Sequence, residues 1–306
     1  MQISTNYLFD RASARMSQLQ GDLAKSQAQI STQKQVLNPS DAPDQTATIT
    51  RLKSIIGRNE SYAKALDTVQ ARLETESTTL SSASDVLIRI KELAIQASNG
   101  TQGSTSRAAI ATEMKGLRDQ LLSLANSTDT TGNYVFSGSK VKTPAFAEKS
   151  GVVSYRGDQT RMHVAVGEQR TIAINRPGTN AFVRVVRTDK DGASAGIGFF
   201  QSIDDLIAGV RTANTSDMRR GLTEMDALHQ GVVLSQAEAG TDMKVVQQQR
   251  AVLDDTKITL KTALSNVEDL DMATAITQMQ KQMLSLEAAQ SSFAKISQLS
   301  LFNYIK

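Results

Sequence analysis

The chain has 306 residues and a mass of 33.0 kDa, room for about two ordinary domains. Apolar residues are 40% and aromatics only 4%, with no Trp, which is thin for one large three-dimensional core, and the absence of Cys excludes disulfide scaffolds, thiol catalysis, Cys-ligated zinc and iron–sulfur clusters. The 34 basic and 31 acidic residues leave a net charge of +3 and are interspersed, so no basic block is offered to nucleic acid or to an anionic membrane.

The first residues, MQISTNYLFDRASARM, lack a basic stretch followed by an apolar one, so no cleaved secretory signal is expected. Residues 1–37 carry a heptad of their own. One set is Phe9, Met16, Leu23, Ile30 and Leu37; the other is Ala12, Leu19, Ser26 and Gln33. This spacing predicts an amphipathic helix, stopped by Asn38-Pro39-Ser40-Asp41-Ala42-Pro43.

From Leu52 to Ala97 the apolar spacing holds without a slip through Ile55, Tyr62, Leu66, Val69, Leu73, Leu80, Ala83, Leu87, Ile90 and Ala94. Only Asn59 and Glu76 interrupt it with strongly polar residues. A helix from Thr46 to Ser98 would extend ~80 Å at ~1.5 Å per residue, too long for an ordinary compact domain, so the spacing predicts an elongated rod. After a Ser/Thr/Gly break at 99–104, Ile110, Met114, Leu117, Leu121 and Leu124 mark a third helix.

Helix breakers then concentrate. Nine of the 18 glycines lie between Gly132 and Gly198, and Pro144 and Pro177 are two of only four prolines. Short runs at Val152–Tyr155, Met162–Val166 and Thr171–Ile174, with turns at Gly157-Asp158 and Gly167-Glu168, predict a small antiparallel unit inserted in the rod. Ile203, Leu206, Ile207 and Val210 mark a short helix. A weaker seam follows from Leu222 through Met225, His229, Val232, Ala239, Met243, Val246, Leu253, Leu260 and Leu264 to Val267, with Gln236, Arg250 and Lys257 inside it. Asp269-Leu270-Asp271 can cap a last helix carrying Met272, Ile276, Met279, Met283, Leu286, Phe293 and Leu299.

The expected fold class is therefore mainly α: long coiled-coil or bundle helices from both chain ends, with a small antiparallel β insert in the middle. The expected division is terminal arms at 1–43 with 266–306, a helical rod at 44–131 with 201–265, and a β-rich insert at 132–200. Each arm is a narrow apolar ribbon that is marginal alone, so each is the natural partner of the other. Such a hairpin leaves apolar surface over, which favours association with further copies. The expected assembly interface is Phe9, Met16, Leu19, Leu23, Ile30, Leu37, Met272, Ile276, Met279, Met283, Leu286, Phe293, Leu299, Leu301, Phe302 and Tyr304.

Signs of catalysis are sparse. His163 and His229 are far apart in sequence and have no acidic cluster beside them, which favours structural roles. Gly196-Ile197-Gly198 lacks the rest of a nucleotide-binding loop. Adjacent carboxylates at Asp204-Asp205 and Asp254-Asp255 point apart on a helix and read as a solvated face. Asp189-Lys190-Asp191-Gly192 reads as a turn, and Met272, Met279 and Met283 read as packing. No metal or cofactor is expected, and no sequence feature speaks for an enzyme.

Several blocks resemble the flagellin family, and in particular its hook-associated members. They are Asn38-Pro39-Ser40-Asp41-Ala42-Pro43-Asp44, Thr131-Gly132-Asn133-Tyr134-Val135-Phe136-Ser137-Gly138 with Pro144-Ala145-Phe146, Val153-Ser154-Tyr155-Arg156-Gly157-Asp158, Asp269-Leu270-Asp271-Met272-Ala273 with Gln290, and the Leu301-Phe302-Asn303-Tyr304 ending. The resemblance covers the whole chain in order. It implies a structural adaptor of the bacterial flagellum, polymerising through its terminal helices between an adjacent hook-associated protein and flagellin. The implied partners are neighbouring copies in a ring, those two proteins, and a cytoplasmic export chaperone on the C-terminal arm. No nucleic acid and no membrane insertion are implied. The implied location is extracellular, reached by type III export without signal cleavage. The alternatives are a discrete-oligomer coiled-coil adhesive or signalling protein, and a filament flagellin.

Overall fold

The computed structural model describes residues 2–100, 102–188 and 194–302, without the side chains of residues 2–6, 8, 188 and 296–302. The elements are α1 (Gln2–Thr32), α2 (Pro43–Ala97), α3 (Ser104–Ala125), β1 (Phe146–Lys149), β2 (Val152–Tyr155), β3 (His163–Ala165), β4 (Thr171–Ala173), α4 (Gly178–Ala181), β5 (Val185–Thr188), β6 (Ser194–Ile197), α5 (Phe199–Thr212), α6 (Thr215–Glu268) and α7 (Met272–Phe302). Two compact units emerge: residues 1–58 with 255–306, and residues 59–254. Helices α2 and α6 contribute to both.

In the 59–254 unit, α2 and α6 run antiparallel. Asn59 Nδ2 donates to the Leu253 carbonyl at 3.2 Å, Arg250 meets Asp67 at 2.6 Å, and Ser84 Oγ lies 2.9 Å from His229 Nε2. Every α2 seam position predicted between Asn59 and Ala97 except half-buried Tyr62 is buried, including the two polar ones. The 3-4 spacing sorts faces whatever the residue type, so Asn59 and Glu76 enter the seam with partners rather than leaving it. Asn214 caps α6 by accepting from the Ser216 N–H at 3.1 Å and the Asp217 N–H at 3.3 Å.

The middle segment is strand-bearing but is not one sheet. Among the described residues it forms three separate two-stranded antiparallel ribbons, β1 with β2, β3 with β4 and β5 with β6. Two-stranded ribbons are marginal alone, and these gain stability by packing on helices. Val166 and Ile172 of the second hairpin join Leu66, Val69 and Leu73 of α2 and Val246 and Leu253 of α6 in one cluster. The pairs missed from sequence are β1 and β5–β6, whose strands are short and mixed in polarity.

Aromatic scarcity reflects concentration. Phe136, Phe146, Phe182, Phe199 and Phe200 are all buried and stack mostly edge to face with centroids 5.1–6.4 Å apart, at the join between the hairpins and α5. Arginines then tie the segment to the helices. Arg72 of α2 holds Asp129 at 3.0 Å. Arg118 of α3 bridges Glu148 of β1 at 2.9 Å and Asp204 of α5 at 3.0 Å. Arg187 of β5 holds Asp205 at 2.6 Å and Glu224 at 2.7 Å. Asp204 and Asp205 are thus claimed by two different arginines rather than forming a bare solvated face. Their ~100° separation aims them at different neighbours.

The motif residues 134–138 and 153–158 meet in one knot. The Tyr155 hydroxyl lies 2.7 Å from the Asp158 carbonyl and 3.0 Å from that of Phe136. Gly138 has φ +71°, and a Cβ there would strike Asp158, so only glycine fits. The Asp158 carboxylate accepts from the Ser139 N–H at 2.8 Å, the Thr160 N–H at 3.0 Å and the Ser139 hydroxyl. These bonds, the Ser139 hydroxyl first, lower its pKa from 3.8 to about 2. A depressed folded-state pKa stabilises above the unfolded value, and that stability is lost as pH falls towards 2. Asp158→Asn is therefore expected to destabilise the chain at neutral pH and to flatten the acid limb of its stability curve between about 4 and about 2, measured by denaturant unfolding across pH.

Candidate assembly interface

The other unit is built from α1, α7 and the adjoining ends of α2 and α6. Helices α1 and α7 pack antiparallel: Phe9 and Phe293 rings lie 4.7 Å apart, and Ser26 Oγ donates to Gln282 Oε1 at 2.8 Å. Half-buried positions recur at Ala12, Met16, Leu19, Leu23 and Ile30 on α1, and at Met272, Ala275, Met279, Gln282, Leu286, Ala289 and Phe293 on α7. Both rows follow the coiled-coil repeat.

Burial in this seam is incomplete. Among the described residues of this unit Ile49 is the one buried apolar side chain, whereas the other unit buries long rows from four helices. Several apolar side chains face outward: Tyr7 is 64% exposed, Met283 50% and Leu284 68%. Phe9 and Ile276 are also exposed. Ile276 and Met283 stand one heptad apart, off the Met272–Met279–Leu286–Phe293 line that meets α1. The predicted interface residues therefore divide into an inward row and an outward row.

Leu37 belongs to neither. Helix α1 ends at Thr32 because Gln33 turns into the left-handed region at φ 59°, which leaves Leu37 half-buried in the connector. There Lys34 and Asp269 form an antiparallel bridge: Gln35 N–H donates to the Glu268 carbonyl at 2.9 Å, and Leu270 N–H to the Gln33 carbonyl at 3.0 Å. Competing backbone pairing ended the helix before its heptad pattern ran out. The side chains of Leu299, Leu301 and Phe302, and Tyr304 entirely, lie outside the described residues.

Below the bridge, Glu268 Oε1 accepts from Lys34 Nζ at 2.7 Å and from Lys53 Nζ at 2.8 Å. Burial pushes this carboxyl up, but the two ammonium groups outweigh it and hold the pKa below the ordinary carboxylate value. Glu268 thus pins the α1–α2 connector and α2 to the end of α6. Sequence reading missed it because its partners lie some 215 positions or more away. Asp271 caps α7 by accepting from the Ala273 N–H at 3.0 Å, the Thr274 N–H at 3.3 Å and the Thr274 hydroxyl at 2.8 Å, and these bonds, the Thr274 hydroxyl first, lower its pKa. Asp41 meets Lys25 at 2.8 Å and closes the acidic connector on α1.

Chemically, this surface offers apolar contact and helix pairing rather than a reaction centre. Among the described residues no group of three or more His, Asp or Glu is placed to hold a metal, and no helix is long and apolar enough to cross a membrane.

Comparison with known proteins points the same way. Residues 3–141 match the bacterial flagellin N-terminal helical region, and residues 222–305 the C-terminal helical region. The chain is 28% identical to flagellar hook-associated protein 3 of Salmonella typhimurium over 99% of each chain. It is also 28% identical to flagellar hook-associated protein 3 of Escherichia coli over 100% of each. The flagellar junction protein FlgL of Legionella pneumophila shares the fold with a TM-score of 0.62 at 18% identity, over 72% of this chain and 99% of that one. Matched at both ends and alike from end to end, the chain belongs to the flagellin family.

Proposed function

We propose that the chain is a structural adaptor at the hook–filament junction of the bacterial flagellum, polymerising through α1 and α7. The full-length likeness to two hook-associated proteins carries this reading. The half-buried arm seam beside a well-buried second unit supplies the mechanism: the arms bury their outward rows, Ile276 and Met283 among them, only against neighbouring copies, the adjacent hook-associated protein and flagellin. The same under-packing suits export by the type III apparatus without signal cleavage, with a cytoplasmic chaperone covering the C-terminal arm beforehand.

Removing the gene is expected to leave hooks without filaments and flagellin lost to the medium. In the parent strain, antibody raised against residues 59–254 is expected to mark one narrow band at the hook end of each filament. Label along the whole filament would mean a filament flagellin instead, and a deletion strain with normal filaments would refute the junction role.

A further inference from the structure

Asn99-Gly100 is the one Asn-Gly pair in the sequence. It sits just past the end of α2, in the reversal leading to α3, and both residues are exposed. The Asn99 N–H donates to the Gln96 carbonyl at 3.3 Å, and the Asn99 carbonyl accepts from the Gln102 N–H at 3.1 Å. Among the described residues neither the Asn99 carboxamide nor the Gly100 N–H has a hydrogen-bond partner. A Cβ built on Gly100 would meet nothing within 4 Å, so no other part of the chain packs against the glycine.

Three other asparagines are restrained. Asn126, which precedes Ser127, has its carboxamide clamped on both the N–H and the carbonyl of Phe146 at 2.8 Å. Asn214 is held as the cap of α6. Asn38 precedes Pro39, which has no N–H to act as nucleophile.

We propose that Asn99 is a self-modification site, converting through a cyclic imide to aspartate and isoaspartate. The Gly100 amide nitrogen loses its proton to solvent base and attacks Asn99 Cγ. A new Cγ–N bond forms, the Cγ–Nδ2 bond breaks, and Nδ2 departs as ammonia after taking a proton from water. Water then opens the imide. Attack at Cγ returns an ordinary aspartate, and attack at the main-chain carbonyl leaves the chain running through Cγ as isoaspartate. In each case the water oxygen ends in the new carboxylate and a proton returns to the Gly100 nitrogen. In the isoaspartate form the carbonyl that accepts the Gln102 N–H becomes a free carboxylate, so the turn loses its closing bond. The new negative charge also lies beside the carbonyl end of α2, where the helix dipole disfavours it. This inference stands apart from the flagellar role.

The test is to age the purified full-length chain in mildly alkaline buffer and follow every asparagine by peptide mass mapping. Isoaspartate is read separately by methyl transfer from S-adenosylmethionine with an isoaspartyl methyltransferase. Asn99 is expected to convert well ahead of Asn126, and faster as pH rises. Gly100→Ala is expected to slow it several-fold without shifting the melting temperature. Conversion at Asn99 only in denaturant, no conversion at all, or equal rates in Gly100→Ala would overturn the proposal.

Discussion

Arg176→Met is expected to lower the unfolding free energy by about 3–5 kcal/mol, the range for stripping one partner from a buried ion pair. Arg176 is 1% exposed and holds three carboxylates: Glu76 of α2 at 2.6 Å, and Asp242 and Glu238 of α6 at 3.1 and 3.2 Å. It leads from β4 towards α4, so it fastens the strand-bearing segment to both long helices. Glu238 and Asp242 reach water and lose less. Glu76 is fully buried, its Oε2 has no partner among the described residues, and burial raises its carboxyl to about 7 against the pull of Arg176. A raised folded-state pKa favours the protonated form, so stability from this group is present at low pH and lost as pH rises through about 7. The penalty of Arg176→Met is therefore expected to be largest above that pH and to shrink below it. The double variant Glu76→Leu with Arg176→Met is expected to recover most of the loss in urea unfolding. A single variant as stable as the parent would show that the pair contributes nothing net.

The paired substitution Ile276→Glu with Met283→Glu is expected to abolish swimming while leaving the free chain intact. Both side chains face solvent in the single chain, so its melting temperature should move little, within about 0.5 kcal/mol of stability. Once neighbours dry that face, each subunit carries two unpaired carboxylates in the interface, at several kilocalories per mole per ion. Ile276→Val with Met283→Leu, which keeps the face apolar, is expected to swim normally. A motile Glu variant would move the interface elsewhere on the arms.

The helices were legible because their signal is local. Leu66, Val69, Leu73, Leu80 and Leu87 recur at the helical period over a stretch free of proline, and the same period buried Asn59 and Glu76 beside them. The cap at Asp271 was equally readable, since it acts within a few residues. The three hairpins were half legible. Val152–Tyr155 carries a β-branched signature, but Ser194–Ile197 does not and is a strand because β5 lies beside it.

Within the arms, sequence named the apolar residues but not their division. Met279 and Met283 are alike in composition and close in number, yet one faces α1 and the other faces solvent. Leu37 carried a good heptad position and still left the helix, because Gln35 and Leu270 found backbone partners across the bridge.

Periodicity and punctuation alone determined that this chain makes long helices from both ends around a strand-bearing middle, since each depends on neighbours within a turn or two. The tertiary structure decided which carboxylate each arginine took, where Glu268 gathered its two lysines, and which apolar row stayed open. Those choices join residues far apart in sequence, and their energies come from burial and charge pairing that exist only once the helices have met.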